Sequence, residues 1–173
     1  MRSPAETARR VVRHYQGRSD RPVGAYAAVL GTYVTVVGAL ALAGRLFGVR
    51  LPARIGLGDT ALLSVATHKA SRLLSKDMVT APLRAPVTRF DEQTGMGEVN
   101  ESARGHGIQH VLGEVATCPF CLAVWVSTGL TAGMVFAPRL TRLVATVLTT
   151  VAASDTLQLG YDAARNWAKQ DNG

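Results

Sequence analysis

The feature that most constrains this chain is an uncharged stretch of 23 residues from Pro22 to Gly44, which lies between an arginine-rich N-terminus and Arg45. A helix of about 20 apolar residues, rising roughly 1.5 Å per residue, crosses a hydrocarbon core of about 30 Å. The stretch is longer than the apolar core of a signal peptide and starts later, although Ala41-Leu42-Ala43 imitates a cleavage site. It therefore predicts a membrane-spanning helix, with a cleaved signal peptide as the alternative.

Two further stretches have the same character. One runs from Val115 to Pro138 without a charge, and the other runs from Leu143 to Tyr161 with Asp155 as its only charge. Pro138 lies between them and predicts a tight turn, so the two stretches form a helical hairpin.

The segment from Ile55 to Ser75 is mostly apolar and carries one narrow polar stripe. Polar side chains recur in it every three or four residues, which places them on one face of a helix. They are Thr60, Ser64, Thr67, His68, Ser71, Arg72 and Ser75. Such a stripe predicts a helix whose polar side faces the interior of a bundle, and a helix lying in the membrane interface is the alternative.

Charge placement favours four spans over three. With four spans and the N-terminus inside, twelve Lys or Arg residues lie on the inner side and five on the outer side. With three spans, nine would lie outside between residues 45 and 114, against the usual bias toward the cytoplasm. The predicted fold class is therefore an all-α membrane protein: a four-helix transmembrane bundle with a cytoplasmic polar loop that holds a short β-hairpin.

The predicted domains follow from these spans. They are a basic N-terminal arm (1–21), a membrane domain (22–165) with helices at about 23–47, 57–76, 118–137 and 140–165, a polar loop (77–114) inside that domain, and a C-terminal tail (166–173). In the loop, residues 87–90 and 98–100 flank a segment with two glycines, which predicts the hairpin. Pro82 and Pro86 predict an extended segment before it.

The sequence Cys118-Pro119-Phe120-Cys121 is the sharpest local motif. Proline favours the first helical position, which places Cys118 at the N-cap and Cys121 on the same face of the helix. Free backbone N–H groups and the helix dipole stabilise a thiolate at such an end. Cys118 and Cys121 are therefore the candidate catalytic residues of a dithiol redox site. The βαβ pattern of thioredoxin does not surround them, and the alternative is two small residues that open a membrane helix.

A zinc site is the other chemistry that these residues suggest. His106 and His110 are four residues apart and precede the cysteines, so two histidines and two cysteines could complete a tetrahedral site. The spacing matches no zinc-finger pattern, and glycines on both sides of His106 weaken a helix there. No cofactor is predicted, with zinc at His106, His110, Cys118 and Cys121 as the alternative.

Charges at membrane depth are costly and are by default functional candidates. Arg72 and Asp155 fall at the inner ends of their helices, at the depth where Cys118 begins the third span. We expect a polar cluster at this interface in which Arg72 pairs with Asp155, or Asp155 pairs with Lys69 or His68 instead. The predicted members of the cluster are His68, Arg72, Lys76, Arg84, Arg89 and Asp155.

The net charge of +7 indicates an acidic partner. Six arginines precede the first span with only one aromatic residue, Tyr15, among them to stack on bases, so nucleic acid is excluded in favour of the lipid bilayer. Lys76, Arg84 and Arg89 are candidates for contact with anionic lipid headgroups. A protein partner or a second copy of the chain is also expected at the polar loop.

Two runs resemble a known family. They are A-T-H-K-A-S-R-L-L-S-K-D-M-V-T-A-P-L-R-A-P-V-T-R-F (residues 66–90) and G-E-V-A-T-C-P-F-C-L-A-V-W-V (residues 113–126). Together they resemble the YjcA-like family, a domain-of-unknown-function family of small bacterial membrane proteins with a sporulation-linked Bacillus member. The resemblance covers roughly residues 55–160 and implies a multi-pass protein of the bacterial cell membrane, whose termini the charge bias places in the cytoplasm.

The resemblance implies no reaction. The leading hypothesis is a non-enzymatic membrane protein that acts as a structural or interaction module. The alternative is a membrane thiol oxidoreductase or metal-thiolate protein that uses Cys118 and Cys121.

Overall fold

The computed structural model describes residues 3–16 and 21–170. The helices are α1 (Pro4–Gln16), α2 (Val23–Leu46), α3 (Leu57–Ser75), α4 (Ala81–Arg84), α5 (Gly107–Thr117), α6 (Pro119–Phe136) and α7 (Pro138–Gln170), with a 3-10 turn at Met78–Thr80. The strands are β1 (Thr88–Gln93) and β2 (Val99–Ala103). The predictions of a mostly helical fold and of one small hairpin are confirmed.

Helices α2 and α6 run in the same direction. The Tyr26 hydroxyl, near the start of α2, donates a hydrogen bond to Glu114, which lies just before α6. Further along, the Tyr33 hydroxyl lies 2.9 Å from the hydroxyl of Thr128. Its ring meets the ring of Trp125 edge-on, with centroids 5.2 Å apart. These contacts place the start of α2 beside the residues that precede α6, and they fix the register between the two helices.

Helices α3 and α7 run in the same direction. Arg142 Nη2 lies 2.9 Å from Asp59 near the start of both helices. The Thr149 hydroxyl donates to the Leu62 carbonyl at 3.2 Å. Helix α3 also packs along α6, so α3, α6 and α7 form a helical bundle, and α2 lies alongside α6.

Small residues allow these helices to approach closely. On α3 the buried residues are Ala66, Ala70, Ser71 and Ser75, and on α7 they are Thr141 and Ala145. A Cβ atom at Gly133 of α6 would lie 2.5 Å from the Thr141 hydroxyl, so only glycine fits there without a shift. Packing through small side chains is typical of helices that associate in lipid.

Among the described residues, three helices are long and apolar enough to cross a membrane: α2, α6 and α7. The prediction had four such helices. The second, α3, forms as a helix of 19 residues, but Asp59, Lys69, Arg72 and a series of hydroxyl side chains make it more polar than the other three.

The segment between α3 and α6, residues 76–117, forms what we term the polar cap. Strands β1 and β2 pair in antiparallel fashion with a bulge between Phe90 and Glu92. Gly97 has a φ of +86° in the hairpin turn, a conformation that suits glycine. The Met78 amide donates to the Gly97 carbonyl at 2.7 Å, which ties the turn to the end of α3.

The structure departs from the sequence predictions within the cap. The segment around Pro82, predicted to be extended, forms the 3-10 turn and α4, because proline lacks only an N–H that the first helical turn leaves unpaired. Helix α5 was not predicted. It packs across β2, where Gly113 faces the backbone of Val87 and Ala103.

The two ends of the chain also differ from the predicted domains. Helix α1 occupies much of the predicted basic arm, and residues 1–2 and 17–20 of that arm lie outside the described residues. Helix α7 continues to Gln170 into the predicted tail, whose last three residues lie outside the described residues as well.

Candidate functional site

Lys69 joins three elements at the end of the bundle that carries the polar cap. Its ammonium lies 2.9 Å from Asp155 of α7 and 3.8 Å from Asp77 of the cap. Only 15% of the Lys69 side chain is exposed, so its charge depends on these carboxylates for the solvation that water would otherwise supply. The arrangement fixes α7 and the cap against α3.

Arg72 lies one turn further along α3 and holds the hairpin turn. Its Nη2 donates to both carboxylate oxygens of Glu98, at 2.6 and 2.7 Å. Glu98 reaches it because Asp77 and Glu98 form a β-bridge and the Val99 amide donates to the Lys76 carbonyl at 2.9 Å. Residues from two distant parts of the sequence therefore meet at one place.

A third pair lies inside the cap. Arg84 is only 3% exposed, and its Nε donates to Glu101 at 2.6 Å. Its Nη1 donates to the Leu74 carbonyl at 2.9 Å and to the Thr80 hydroxyl at 2.6 Å, while Nη2 donates to the Asp77 carbonyl at 3.2 Å. A buried guanidinium with this many acceptors is a structural centre, since its fork of donors is satisfied by the protein itself.

A cleft of about 950 Å³ opens between α3, α7 and the hairpin turn. It has walls from all three elements and includes apolar surface from Val65, Ala152 and Leu159. Six titratable side chains line it: His68, Lys69, Arg72, Asp77, Glu98 and Asp155. With His68 neutral, two positive and three negative charges face this space, and we term it the charged cleft.

The structure brings together only some of the residues predicted for the polar cluster. His68, Arg72 and Asp155 line the charged cleft, whereas Arg84 is buried inside the cap and Arg89 is exposed on β1. Asp155 pairs with Lys69, the alternative partner, and not with Arg72, because Glu98 of the hairpin binds Arg72.

Two further expectations need correction. Arg84 is enclosed by its own acceptors, so it is not available to lipid headgroups. The polar stripe of α3 does not face inward as a whole: Ser71 and Ser75 are buried, but Ser64 and His68 are exposed. The buried face of α3 is instead made of alanines and serines, which permit closer contact with α6 and α7.

Cys118 and Cys121 lie where the cap meets α6. Cys118 is the N-cap of α6, and its sulfur accepts a hydrogen bond from the Cys121 amide at 3.3 Å. Burial raises the pKa of Cys118, but hydrogen bonds from the Cys121 side chain and amide and from the Phe120 amide, with the charge of Lys76, outweigh it and leave the pKa below its ordinary value. Both cysteines are free thiols.

The two histidines of the predicted zinc set have different structural roles. His106 is the N-cap residue of α5, and His110 Nε2 lies 3.6 Å from Glu114, one turn later on that helix. Within residues 3–16 and 21–170, no three His, Cys, Asp or Glu side chains are grouped so that they could hold a metal ion. The structure does not assemble the zinc set of His106, His110, Cys118 and Cys121.

Sequence reasoning identified Asp155 but missed the acidic residues of the cap. Asp77, Glu98 and Glu101 belong to a loop without periodicity, and their positions depend on the hairpin. A usable signal was the alternation of side-chain direction at the start of β2. Val99 is buried in the cap, whereas its neighbours Glu98 and Asn100 are less buried. No sequence signal indicated that Glu98 would reach α3.

Comparison with known proteins identifies a family. A family model described as "Protein of unknown function (DUF1360)" matches residues 62–161, which is more than half of the chain and includes most of α3, the cap, α6 and most of α7. This agrees with the resemblance to a domain-of-unknown-function family, while the YjcA-like name is no part of the description. No curated protein and no solved structure shows significant similarity to the chain.

Proposed function

We propose that this chain, which belongs to the DUF1360 family of proteins of unknown function, is an integral protein of the bacterial cell membrane that acts as a structural or interaction module. In this proposal α2, α3, α6 and α7 cross the bilayer, and the polar cap lies on the cytoplasmic side. The resemblance to the YjcA-like proteins, with their link to sporulation, agrees with this location.

The apolar outer surface of the bundle is the observation that carries the proposal. Neither α2 nor α6 buries any residue, although both are made almost entirely of apolar side chains. Large side chains stand exposed along the bundle, for example Leu30, Val34, Val124 and Val147. Soluble monomers rarely expose continuous apolar surface of this extent, whereas lipid acyl chains cover it at no cost.

The inclusion of α3 as a fourth span has separate support. Its 19 residues measure about 28 Å, close to the thickness of a hydrocarbon core. It packs along both α6 and α7 and parallel to α7, so a bilayer that holds those helices also surrounds α3. Two of its charges are paired within the helical bundle: Asp59 near its start binds Arg142, and Lys69, about two-thirds of the way along, binds Asp155.

The orientation follows from charge. The cap end of the bundle is the end where the chain carries most of its Lys and Arg residues, including those before α2. The positive-inside rule places this end in the cytoplasm. The cap is then available to cytoplasmic partners, and exposed apolar side chains such as Val79 and Leu83 are suited to contact with one.

Site-directed labelling tests the membrane part of this proposal. In a Cys118→Ser/Cys121→Ser background, Pro52→Cys and Glu92→Cys place single thiols in the α2–α3 loop and in the hairpin. An impermeant maleimide applied to intact cells should label Pro52→Cys alone, and Glu92→Cys only after permeabilisation. Labelling of both from the same side would contradict four spans, and recovery of the chain in the soluble fraction would contradict membrane insertion.

A second function, thiol–disulfide exchange, is favoured by the lowered pKa of Cys118. In that reaction the Cys118 thiolate attacks a substrate disulfide and displaces one substrate thiol. Cys121 then attacks the mixed disulfide, so that the substrate leaves as a dithiol and Cys118 and Cys121 are oxidised to a disulfide. Loss of disulfide reduction in Cys118→Ser, measured with a small aromatic disulfide after reduction of the protein, would support this function. Equal rates in wild type and variant would contradict it.

A further inference from the structure

We infer that the charged cleft binds a phosphate ester that also carries a primary ammonium group, which is the chemistry of an ethanolamine phospholipid headgroup. The lipid form of this ligand rests on the proposed membrane location, whereas the cleft itself does not. The carboxylate of Asp155 is the acceptor for the ammonium group, and Arg72 with His68 supplies the donors for the phosphate.

The mixture of charges selects this class of ligand. Two cationic and three anionic side chains line the cleft when His68 is neutral. A simple anion would meet three carboxylates, and a simple cation would meet Lys69 and Arg72. A zwitterion can place each of its charges against the opposite sign, and it is the ligand that such a surface accommodates best.

Asp155 has unused capacity on the acceptor side. Its Oδ2 atom binds Lys69, and in the described part of the chain its Oδ1 atom receives no hydrogen bond. The side chain remains 46% exposed despite its position in the cleft. An ionised carboxylate accepts about four hydrogen bonds in total, so an ammonium group can bind beside Lys69.

Arg72 and His68 have unused capacity on the donor side. Arg72 uses only Nη2 to bind Glu98, and 42% of its side chain is exposed. Its Nε and Nη1 atoms, and the exposed imidazole of His68 one turn earlier, make no hydrogen bond within residues 3–16 and 21–170. A planar guanidinium with free donors is well suited to a phosphate group.

The shape of the cleft also fits a headgroup. Its volume of about 950 Å³ is within the usual range for small-molecule sites. Gly95, Gly97, Ala152 and Ala153 keep its walls low, while Val65 and Leu159 add apolar surface. In the proposed orientation the cleft lies at the cytoplasmic end of the span, at the depth of phospholipid headgroups, and the apolar surface can contact the start of an acyl chain.

Native mass spectrometry of the full chain in detergent tests the inference with three ligands. Dioleoylphosphatidylethanolamine and dioleoylphosphatidylcholine share the phosphate and acyl chains, but only the first has ammonium N–H donors. Glycerophosphoethanolamine has the same polar group without acyl chains. We expect one bound ethanolamine lipid per chain, with an affinity about tenfold higher than that of the choline lipid.

Variants locate the binding. Arg72→Gln and Asp155→Asn should each weaken ethanolamine-lipid binding about tenfold. The matched controls are Arg142→Gln and Asp59→Asn, which break an ion pair at the other end of the same two helices and should change binding less than about twofold. Ala153→Leu narrows the cleft without removing a charge and should weaken binding even if a charge variant fails to fold.

The outcomes separate this inference from the membrane proposal. Equal affinity for the ethanolamine and choline lipids, or equal effects of cleft and control variants, would overturn it. Binding of glycerophosphoethanolamine by a chain found in the soluble fraction would support the cleft as a site while refuting the membrane location. A membrane-inserted chain that binds none of the three ligands would refute the site alone.

Discussion

The ammonium group of Lys69 lies 2.9 Å from a carboxylate oxygen of Asp155 and joins α3 to α7 at the cap end of the bundle. The two residues are 86 positions apart in the sequence. Because α3 and α7 run in the same direction, Lys69, about two-thirds of the way along α3, meets Asp155, the charge that interrupts the apolar part of α7. The same lysine contacts Asp77, so this ion pair also links the bundle to the cap.

Removal of either charge should destabilise the protein, because the other charge remains partly buried without its partner. We expect Lys69→Met to lower the free energy of unfolding by about 1–3 kcal/mol, a value between those of exposed and fully buried pairs. Chemical denaturation in detergent micelles measures this change. Arg165→Gln removes an exposed pair with Asp162 on the same helix α7 and should cost less than about 0.5 kcal/mol.

A mutant cycle separates the two possible partners of Asp155. The Lys69→Met/Asp155→Leu double variant should be more stable than the sum of the single changes predicts, since neither charge is left unpaired. Arg72→Gln combined with Asp155→Asn should be additive within about 0.5 kcal/mol, because Arg72 binds Glu98. Strong coupling between Arg72 and Asp155 in denaturation experiments would contradict the observed pairing.

Arg84 should be the residue on which the cap depends most. Arg84→Met leaves Glu101 buried without a counter-charge, and we expect a loss of about 3–5 kcal/mol. Arg84→Lys should also destabilise, since lysine cannot reproduce the bonds of the planar guanidinium. Limited proteolysis reports the loss as cleavage within residues 76–117. Arg89→Gln on exposed β1 is the control, and similar cleavage in this variant would show that the cap does not depend on the buried pair.

Gly113 should tolerate no side chain. A Cβ atom there would collide with the Val87 carbonyl oxygen and lie 2.9 Å from Cα of Ala103, and both contacts involve backbone that cannot move easily. We expect Gly113→Ala to cost about 1–3 kcal/mol through overpacking. Gly129→Ala on α6 meets no atom within 4 Å and should be neutral or slightly stabilising. Thermal midpoints of both variants in the same detergent make the comparison.

Cys118 should react as a thiolate at lower pH than an ordinary cysteine. Its pKa is lowered in the folded protein, so at each pH below its ordinary value a larger fraction is ionised. In the Cys121→Ser variant, which keeps a hydroxyl donor, the rate of iodoacetamide alkylation should reach half its maximum below about pH 8.5. Lys76→Gln should move this midpoint upward. A midpoint that does not move would show that the Lys76 charge has no part in the shift.

Local patterns in the sequence determined the elements of the bundle. Uncharged runs predicted α2, α6 and α7, because the length of an apolar run and the absence of charge are properties that each segment carries by itself. The Cys118-Pro119 motif likewise indicated where α6 begins, since a helix cap involves only neighbouring residues. The hairpin was visible for the same reason, as its turn glycines and flanking strands are local.

Tertiary structure alone decided which charges meet. Arg72 was expected to pair with Asp155, because the depth of a residue along its helix can be read from the sequence. The rotation of each helix about its axis and the position of the hairpin cannot be read in this way, and Arg72 binds Glu98 instead. Glu98 reaches Arg72 only after β1 and β2 pair and the turn binds the end of α3. The burial of Arg84 and the charged cleft likewise depend on contacts between segments far apart in the chain. Since an ion pair forms by proximity rather than by residue type, these partners follow from the fold and not from the sequence pattern.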